Sequence, residues 1–437
     1  MLAEAIAPLP HAFGVAASFS GRCWTMRAND PDAARALARF AGLSPLLCDL
    51  LAARGIGAEE CADYLHPTLK RLLPEPLLLS DMYKAVERTR AAIERGEQIA
   101  VWGDYDVDGS CSAALLCEFL TALGRPPRVY IPDRMTEGYG PNAPALLKLK
   151  EEGASLVITV DCGATATAPL RAARDAGLDV IVLDHHAVET APLALAHVNP
   201  NQPGDSSGLK YLCAAGVTFL FAVALNRSLR TSGWYTVNAI AEPDLLDLCD
   251  LVALATVCDV VPLIGINRAF VRTGLARLST LARPGFAALA QVASIAPPCT
   301  PDHLGFVFGP RINAGGRVGR CSLGVELLTA KTDADALARA LDIHNKERRS
   351  IESSILDEAM ALAAAQVDVP IVLVDGEGWH SGVVGIIAGR LRERFNKPTF
   401  VVGFEGGLGR GSARSVAGFD IGAVVRAACE ANILDAG

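Results

Sequence analysis

The chain has 437 residues, 51% of them hydrophobic and 20% charged, and a formal net charge of −8 at pH 7. This length predicts two or three packed units, and the lack of an apolar run of roughly 18 residues excludes a helical membrane protein. The acidic balance argues against a protein that coats nucleic acid non-specifically, although it leaves room for a local basic groove.

The twelve cysteines are scattered and lack the CxxC or CxxH spacing of a structural zinc site. Residues 1–19 have no basic segment and contain Pro8 and Pro10, so they do not resemble an export signal. We therefore expect reduced, mostly buried thiols in a cytoplasmic protein.

The first half of the chain predicts a parallel α/β domain. Residues 1–76 predict a helical lead-in, residues 81–97 have apolar side chains at helical spacing, and residues 98–103 predict a buried strand. Three further strands are predicted at 128–131, 155–160 and 179–183, with helical segments such as 168–176 between them. Strands that alternate with helices indicate a parallel sheet, which binds ligands at the carboxyl ends of its strands.

The second half predicts a smaller α/β domain after a long helix. Residues 245–257 form an apolar helical stretch, and residues 333–366 form a long helical stretch with few breakers. Predicted strands at 370–374 and 399–403 then flank a helix over 385–395. The predicted domains are a lead-in (1–76), the first α/β domain (77–280), a helical connector (281–368) and a second, incomplete α/β domain (369–437).

Carboxylates crowd the segment after the first strand. Asp104, Asp106 and Asp108 alternate within WGDYDVDG, which we interpret as a loop before Gly109. Such carboxylates repel one another unless cations bind between them, and hard ions such as Mg²⁺ or Mn²⁺ prefer oxygen ligands. Alone, the segment is equally consistent with a Ca²⁺-stabilised or solvent-exposed acidic turn, although the spacing does not fit an EF-hand.

Other strand ends carry the same chemistry. Asp161 follows the third strand, the tandem pair His185 and His186 follows the fourth, and Asp259 ends the apolar helical stretch. Carboxylates and imidazoles at neighbouring strand ends indicate a metal centre. A centre rich in bridging carboxylates suits two ions about 4 Å apart that act on a phosphoryl group.

At this point the motifs resemble a known family. GDYDVDG, IPDR with GYG, VDCG, DHH and CDVVPL, in this order, resemble the DHH phosphoesterase superfamily. PRINAGGRVG, GWHSGVVGIIAGRLRERF and GRGSARSVAGFDI are similar to its RecJ branch, the single-strand-specific DNA exonucleases. The resemblance covers roughly residues 102–420 and implies a DHH domain joined by the long helix to a DHHA1-like domain.

The resemblance implies a role for each residue of the acidic cluster. Two Mn²⁺ or Mg²⁺ ions would be ligated by Asp106, Asp108, Asp161, His185 and Asp259. His186 would touch the scissile phosphate or hold the ligands in place, and Asp104 would act as an acid/base group or support the ligands. Superfamily members often have His four positions before the first ligand Asp, where this chain has Trp102. We expect one ion to be held less tightly, or Asp104 to compensate.

The later motifs imply contacts to the nucleic acid strand. Ser412, Arg414 and Ser415 of GSARS would bind a phosphate, helped by Arg410, unless the segment is only a flexible hairpin loop. The RINAGGR and GWHSG motifs contain further candidates for contacts to the strand. On the alternative interpretation, these residues are only solvated or packed against their neighbours. These candidates are Arg311, Asn313, Arg317 and His380.

The resemblance implies an exonuclease that degrades single-stranded DNA with 5′→3′ polarity in repair and recombination, with single-strand-binding protein or helicase partners. The alternatives are a phosphodiesterase for short oligonucleotides or cyclic dinucleotides, and a non-catalytic DNA-binding scaffold. Proteins of this branch continue with a Gly-Gly-His motif and an oligonucleotide-binding domain that the 437 residues do not contain. We therefore expect either that the chain is a fragment or that the DNA contacts of this domain are made in another way.

Overall fold

The computed structural model describes residues 11–19, 21, 23–27, 30–134, 136–366 and 368–435. Residues 1–10 of the predicted lead-in, which include most of the segment tested for an export signal, and residues 436–437 of the second domain lie outside this range. Among the described residues, no helix combines the length and apolar character that crossing a membrane requires. The chain divides into one unit of residues 1–73 and 263–269 and a second unit of residues 74–262 and 270–437.

The first unit is helical in its described part. After a short 3₁₀ turn at Ala12–Gly14, its helices are α1 (Pro31–Ala41), α2 (Pro45–Ala52), α3 (Ala58–Leu65) and α4 (Leu69–Leu72). Asp30 begins α1 by accepting hydrogen bonds from the backbone N–H groups of Asp32 and Ala33. Leu37, Leu51 and other apolar side chains of α1, α2 and α3 form a small core of their own.

The second unit opens with alternating helices and strands that form a five-stranded sheet. After a 3₁₀ turn at Pro76–Leu78, its elements are α5 (Met82–Arg95), β1 (Gln98–Gly103), α6 (Val107–Ala122), β2 (Arg128–Tyr130), α7 (Ala143–Glu151), β3 (Ala154–Val160), α8 (Thr167–Asp175), β4 (Asp179–Leu183) and β5 (Ala196–Val198). The strand order is β2-β1-β3-β4-β5, and every neighbouring pair is parallel. The predicted parallel α/β fold is therefore confirmed.

Helices follow the sheet and lead to the connector. They are α9 (Ala214–Thr231), α10 (Trp234–Asn238), a 3₁₀ turn at Leu245–Leu248, α11 (Cys249–Cys258), α12 (Gly265–Leu278), α13 (Pro284–Ala293), α14 (Pro301–His303), a π-helical turn at Leu304–Phe308, α15 (Gly309–Val318), α16 (Leu323–Thr329) and α17 (Ala334–Ala364). Helix α9 is buried along most of its length and packs against α5, α6 and α11. Helix α17, with 31 residues, is the predicted long connector.

A smaller sheet follows α17. Its elements are β6 (Val372–Glu377), α18 (Ser381–Phe395), β7 (Thr399–Glu405), β8 (Leu408–Arg414) and α19 (Ile421–Glu430). Strands β6 and β7 are parallel, and β8 pairs antiparallel with β7. Apolar side chains of α17, α18, β6 and β7 form the core of this second lobe.

One local prediction was wrong, and two motifs lie on regular elements. The segment from Asp104 to Asp108 is not a loop throughout, because α6 begins at Val107. The RINAGGR segment lies in helix α15, where a side chain at Gly316 would meet the backbone oxygen of Tyr105 at 3.0 Å, so glycine here permits close packing. The GSARS segment lies largely on strand β8, which disfavours the alternative of a hairpin loop.

Candidate metal centre and substrate cleft

Three neighbouring strands deliver acidic residues to one edge of the first sheet. Asp104 follows β1, Asp161 follows β3 and Asp184 follows β4, and each backbone N–H extends the sheet by donating to a carbonyl on the next strand. Asp161 adopts a left-handed conformation, with φ of 61°. Asp and Asn tolerate this region better than most residues, so the turn after β3 suits a carboxylate at this position.

The start of α6 supplies two more carboxylates. Asp106 is the N-cap, and its side chain accepts a hydrogen bond from the backbone N–H of Gly109. Asp108 lies in the first turn and is 1% exposed. Its two carboxylate oxygens accept hydrogen bonds of 2.6 Å and 2.8 Å from Ala214 and Ala215 at the N-terminus of α9. These bonds fix the orientation of a buried carboxylate.

His185 lies at the centre of the cluster. Its Nε2 is 3.3 Å from Oδ1 of Asp161 and 3.7 Å from Oδ2 of Asp108, and its Nδ1 is 3.7 Å from Oδ2 of Asp259. Asp259 is the C-cap residue of α11. The imidazole therefore contacts carboxylates from three different segments of the chain.

Three groups of side chains each bring their ligand atoms within 4.8 Å of one another. The groups are Asp104, Asp106 and Asp161; Asp161, His185 and His186; and Asp108, His185 and Asp259. Asp161 and His185 each belong to two groups. The carboxylate of Asp161 has two oxygens and can bridge two closely spaced ions, whereas each ring nitrogen of His185 can bind only one ion.

Without bound cations, the negative charges of the carboxylates in this cluster repel one another. Burial and the charge of Asp106 raise the pKa of Asp104 to about 8 and that of Asp259 to about 6. Burial, together with neighbouring carboxylates, also raises the pKa of Asp108 and of Asp161. Among the described residues, no Lys or Arg lies within ion-pair distance of these carboxylates.

Two buried carboxylate oxygens of the cluster have no hydrogen-bond partner in the part of the chain that the structure describes. They are Oδ1 of Asp104 and Oδ1 of Asp161, which lie in the same ligand group. A buried carboxylate oxygen without a donor costs free energy unless a cation binds it. The donor set of carboxylates and imidazole therefore fits Mn²⁺ or Mg²⁺.

Asp184 is a site residue that the sequence interpretation quoted without assigning it a role. Its Oδ1 accepts hydrogen bonds from Nδ1 of His186 at 2.8 Å and from the backbone N–H of His185 at 2.7 Å, while Oδ2 accepts from Ala164. Burial alone would raise the pKa of Asp184, but these bonds hold it below its usual range. In return, Asp184 raises the pKa of His186 to about 9, which favours a positively charged imidazole.

Trp102 does not reach the metal centre. Its side chain is fully buried in the core of the first lobe, where it packs against Tyr130 with ring centroids 4.5 Å apart. Asp104, two residues further on, points into the ligand cluster. The cluster therefore assembles without a ligand from position 102.

Tyr139 and Arg134 also lie beside the centre, within the IPDR and GYG motifs. The hydroxyl of Tyr139 donates to the carbonyl of Asp161 at 3.0 Å, and its ring meets His186 edge to face. The Arg134 guanidinium lies over the ring of Tyr105. Both motifs were recognised in the sequence, but neither residue was proposed for the site.

The candidates of RINAGGR are placed differently from one another. Arg317 donates to the carbonyl of Gly382 at 2.8 Å, and burial together with the nearby charges of Arg134 and Arg348 lowers its pKa to about 10. Asn313 lies one helical turn before it on the same cleft. By contrast, Arg311 forms an ion pair with Asp342 at 2.9 Å, which favours a structural role.

The candidates in the second lobe lie close to α18. His380 is the N-cap of this helix and accepts a hydrogen bond from the backbone N–H of Gly382. Arg414 donates to the hydroxyl of Ser412 at 3.1 Å, and both side chains pass close to Gly385.

Ser415 and Arg410 are the remaining two candidates of the second lobe. Ser415, just after β8, donates to the carbonyl of Phe419, and Arg410 is exposed on the strand. The charge of Arg414 contributes to the lowered pKa of Arg317, so these two arginines lie near each other across the two lobes.

Two family models match the chain. Residues 98–256 match the DHH family, N-terminal domain, and residues 361–432 match the DHHA1 domain. The first match contains the strand ends and most of α11, and the second contains the smaller sheet.

Curated relatives and solved structures agree with these matches. The single-stranded-DNA-specific exonuclease RecJ of Bacillus subtilis is 36% identical over 405 residues, which cover 91% of this chain and 50% of the relative. The Escherichia coli protein of the same name is 39% identical over 390 residues, covering 86% and 67%. RecJ of Thermus thermophilus in complex with Mn²⁺ superposes with a TM-score of 0.75 at 29% identity, covering 94% of this chain and 57% of that one.

The Mg²⁺ complex of the same Thermus protein superposes with a TM-score of 0.68 at 27% identity, covering 93% of this chain and 54% of that one. The chain thus spans about half to two thirds of the length of these relatives. Both ions expected from the sequence are bound in these solved relatives. The matches extend over both lobes, and the chain belongs to the RecJ family of DHH phosphoesterases.

Proposed function

We propose that this chain is a metal-dependent exonuclease that hydrolyses phosphodiester bonds of single-stranded DNA and releases 5′-mononucleotides. The observation that carries the proposal is the pair of ligand groups that share the carboxylate of Asp161, together with the unpartnered oxygens of Asp104 and Asp161 among the described residues. Relatives named as single-stranded-DNA-specific exonucleases support the choice of substrate.

Five residues are proposed to hold two divalent ions. They are Asp106, Asp108, Asp161, His185 and Asp259. When bound, Mn²⁺ or Mg²⁺ supplies positive charge to the phosphoryl group and acidifies the attacking water. The hydrogen bonds from α9 to Asp108 keep its carboxylate oriented before the ions arrive.

His186 and Asp104 are proposed to act on the substrate. Because Asp184 accepts a hydrogen bond from Nδ1 of His186, the opposite edge of the imidazole, Nε2, is left to contact an oxygen of the scissile phosphate. Asp104 is proposed to take a proton from the attacking water. The water oxygen bonds to phosphorus as the P–O3′ bond breaks, and the departing O3′ takes up a proton from solvent and leaves as the 3′-hydroxyl of the released nucleotide.

The basic residues beyond the centre are proposed to hold the strand. Ser412 and Arg414 on β8 and Arg317 on α15 lie near one another, and Arg317 also lies near Asp106. Phosphates of the strand would bind here next to the scissile bond. Asn313, His380, Arg410 and Ser415 are proposed as further contacts, and we assign Arg311 the weakest case because of its ion pair with Asp342.

The resemblance to the RecJ branch supports 5′→3′ polarity, a role in DNA repair and recombination in the cytoplasm, and partners such as a single-strand-binding protein or a helicase. A second candidate function is a phosphodiesterase for oligonucleotides or cyclic dinucleotides. The specific observation in its favour is that the metal centre alone would serve either substrate. Arginines lying beyond the centre favour the longer strand.

One experiment separates these functions. The protein is incubated with Mn²⁺ and with strands labelled at either the 5′ or the 3′ end, beside duplex DNA, RNA and a dinucleotide. We expect stepwise release of mononucleotides from the 5′ end of single-stranded DNA, and no release in the presence of a chelator. Hydrolysis of the dinucleotide without hydrolysis of the long strand would support the second candidate instead.

A further inference from the structure

A cleft of about 610 Å³ lies between α15, α17 and α18, beside the proposed phosphate contacts. We call it the arginine cleft. Its charged and aromatic lining residues are Phe306, Arg317, Arg348, Arg349, Glu352 and Arg390. The volume falls within the range of sites that hold a drug-sized molecule or a nucleotide.

The charge of the arginine cleft is opposite to that of the chain. Four arginines and one glutamate line it, whereas the whole chain carries a net charge of −8. Glu352 pairs with Arg348 at 2.6 Å and lies 3.6 Å from Arg390. Arg349 is exposed and forms no hydrogen bond or ion pair with the described residues. A local excess of arginine in an acidic protein indicates an anionic ligand.

The aromatic residue of the arginine cleft is unusually exposed. Phe306 is 73% exposed and lies in the π-helical turn Leu304–Phe308 directly before α15. Such turns are frequent at functional sites. An exposed ring beside exposed guanidinium groups matches the way proteins bind single strands, where bases stack on aromatics and phosphates pair with Arg.

Arg348 gives an independent indication of a ligand. The residue is 8% exposed, and two of its nitrogens bond to Glu352 and Asn345. Its Nε is buried and has no hydrogen-bond partner in the described part of the chain. A buried guanidinium N–H without an acceptor is costly, and a bound phosphate oxygen would supply the acceptor.

The arginine cleft adjoins the segment that carries the first carboxylates of the metal centre. Arg317 lines the cleft, and the preceding Gly316 packs closely against the backbone oxygen of Tyr105. We propose, on the basis of the proposed exonuclease function, that the arginine cleft is a second subsite for the single strand. One nucleotide stacks its base on Phe306 and places its phosphate against Arg348 and Arg349.

The test compares long and short substrates. In Phe306→Ala and Arg349→Ala, KM for a strand of about 20 nucleotides rises roughly tenfold, as expected for loss of one stacking or phosphate contact. Hydrolysis of a dinucleotide, which is too short to reach both sites, stays unchanged. Ile343→Ala and Arg339→Ala change exposed residues of α17 outside the arginine cleft and serve as matched controls.

A binding measurement keeps this inference separate from the proposed activity. Fluorescence anisotropy with a labelled thymidine oligonucleotide in the presence of a chelator reports strand binding without hydrolysis. Weaker binding by Phe306→Ala and Arg349→Ala supports the subsite even if the protein hydrolyses no strand. Binding equal to that of the two controls overturns it while leaving the activity intact.

Free thymidine monophosphate tests whether the arginine cleft binds a free nucleotide instead of a nucleotide of the strand. If the cleft variants lose inhibition by the mononucleotide yet bind the long strand normally, the arginine cleft binds a free nucleotide and the strand subsite is wrong. We expect instead that the cleft variants bind the long strand more weakly.

Discussion

The metal centre and the arginine cleft solve opposite electrostatic problems within one unit of the chain. At the metal centre, buried carboxylates such as Asp108 and Asp161 lie close together, and among the described residues no Lys or Arg pairs with them. In the arginine cleft, Arg349 and Phe306 face solvent. Bound cations would neutralise the first site, and a bound anion would neutralise the second. The two proposals concern separate sites, so the chemical step and the binding of the strand can each be tested independently.

The largest expected effect comes from Asp161→Asn at the metal centre. Asn keeps the size of the side chain and tolerates the left-handed backbone at this position, whereas Ala would add strain. Loss of a shared carboxylate should lower the rate of hydrolysis at least about a thousandfold on both dinucleotide and long strand. Rate measurements with both substrates, together with circular dichroism as a check of the fold, test this. Near-normal rates would remove Asp161 from the ligand set.

A smaller effect is expected from Asp184→Asn, because Asp184 acts through His186. The amide oxygen can still accept from the backbone of His185, but the NH2 group cannot accept from Ala164, and the neutral amide no longer favours the charged imidazole. Loss of such a supporting carboxylate typically costs about 10- to 100-fold in activity or metal affinity. We expect kcat to fall in this range for both substrates. An unchanged pH profile of kcat would show that His186 does not depend on Asp184.

Much of this centre could be predicted from the sequence because its residues follow strands that are short apolar runs. The predicted bounds of β1 and β4 coincide with those of the structure. By contrast, β5 has three residues and gives no pattern, and β8 contains Gly and Arg where a strand usually carries apolar residues. Pairing with β7, a tertiary effect, makes β8 a strand.

The remaining assignments depend on contacts that the sequence does not show. Arg311 looked like a phosphate ligand because its partner Asp342 lies on another helix. The role of Asp184 follows from its bonds to His186 and Ala164, which the DHH motif alone does not reveal. No spacing in the sequence connects Phe306 with Arg390, since the arginine cleft exists only once α15, α17 and α18 have packed.

The dependence of stability on pH tests the crowding of carboxylates at the metal centre. The pKa values of Asp259, about 6, and Asp104, about 8, are raised, so the metal-free protein loses stability as pH rises from the ordinary carboxyl range towards these values. Mg²⁺ binds the deprotonated carboxylates, so the rise in Tm on adding Mg²⁺ should be larger at pH 8 than at pH 6. Thermal unfolding with Mg²⁺ or with a chelator measures it. Asp104→Asn should flatten the upper part of this dependence, and a rise in Tm independent of pH would contradict the assignment.

The smallest expected effect is a change in salt dependence at the arginine cleft. Each phosphate neutralised by a protein side chain releases counterions, so log Kd for a single strand changes with log salt concentration by about 0.7 per contact. Arg349→Ala should lower this slope by about that amount, because Arg349 has no acidic partner among the described residues to satisfy instead. Arg339→Ala on the same helix should leave the slope unchanged, as should Asp161→Asn measured in a chelator. Equal slopes in Arg349→Ala and wild type would place the strand elsewhere, and the arginine cleft would then have no part in holding it.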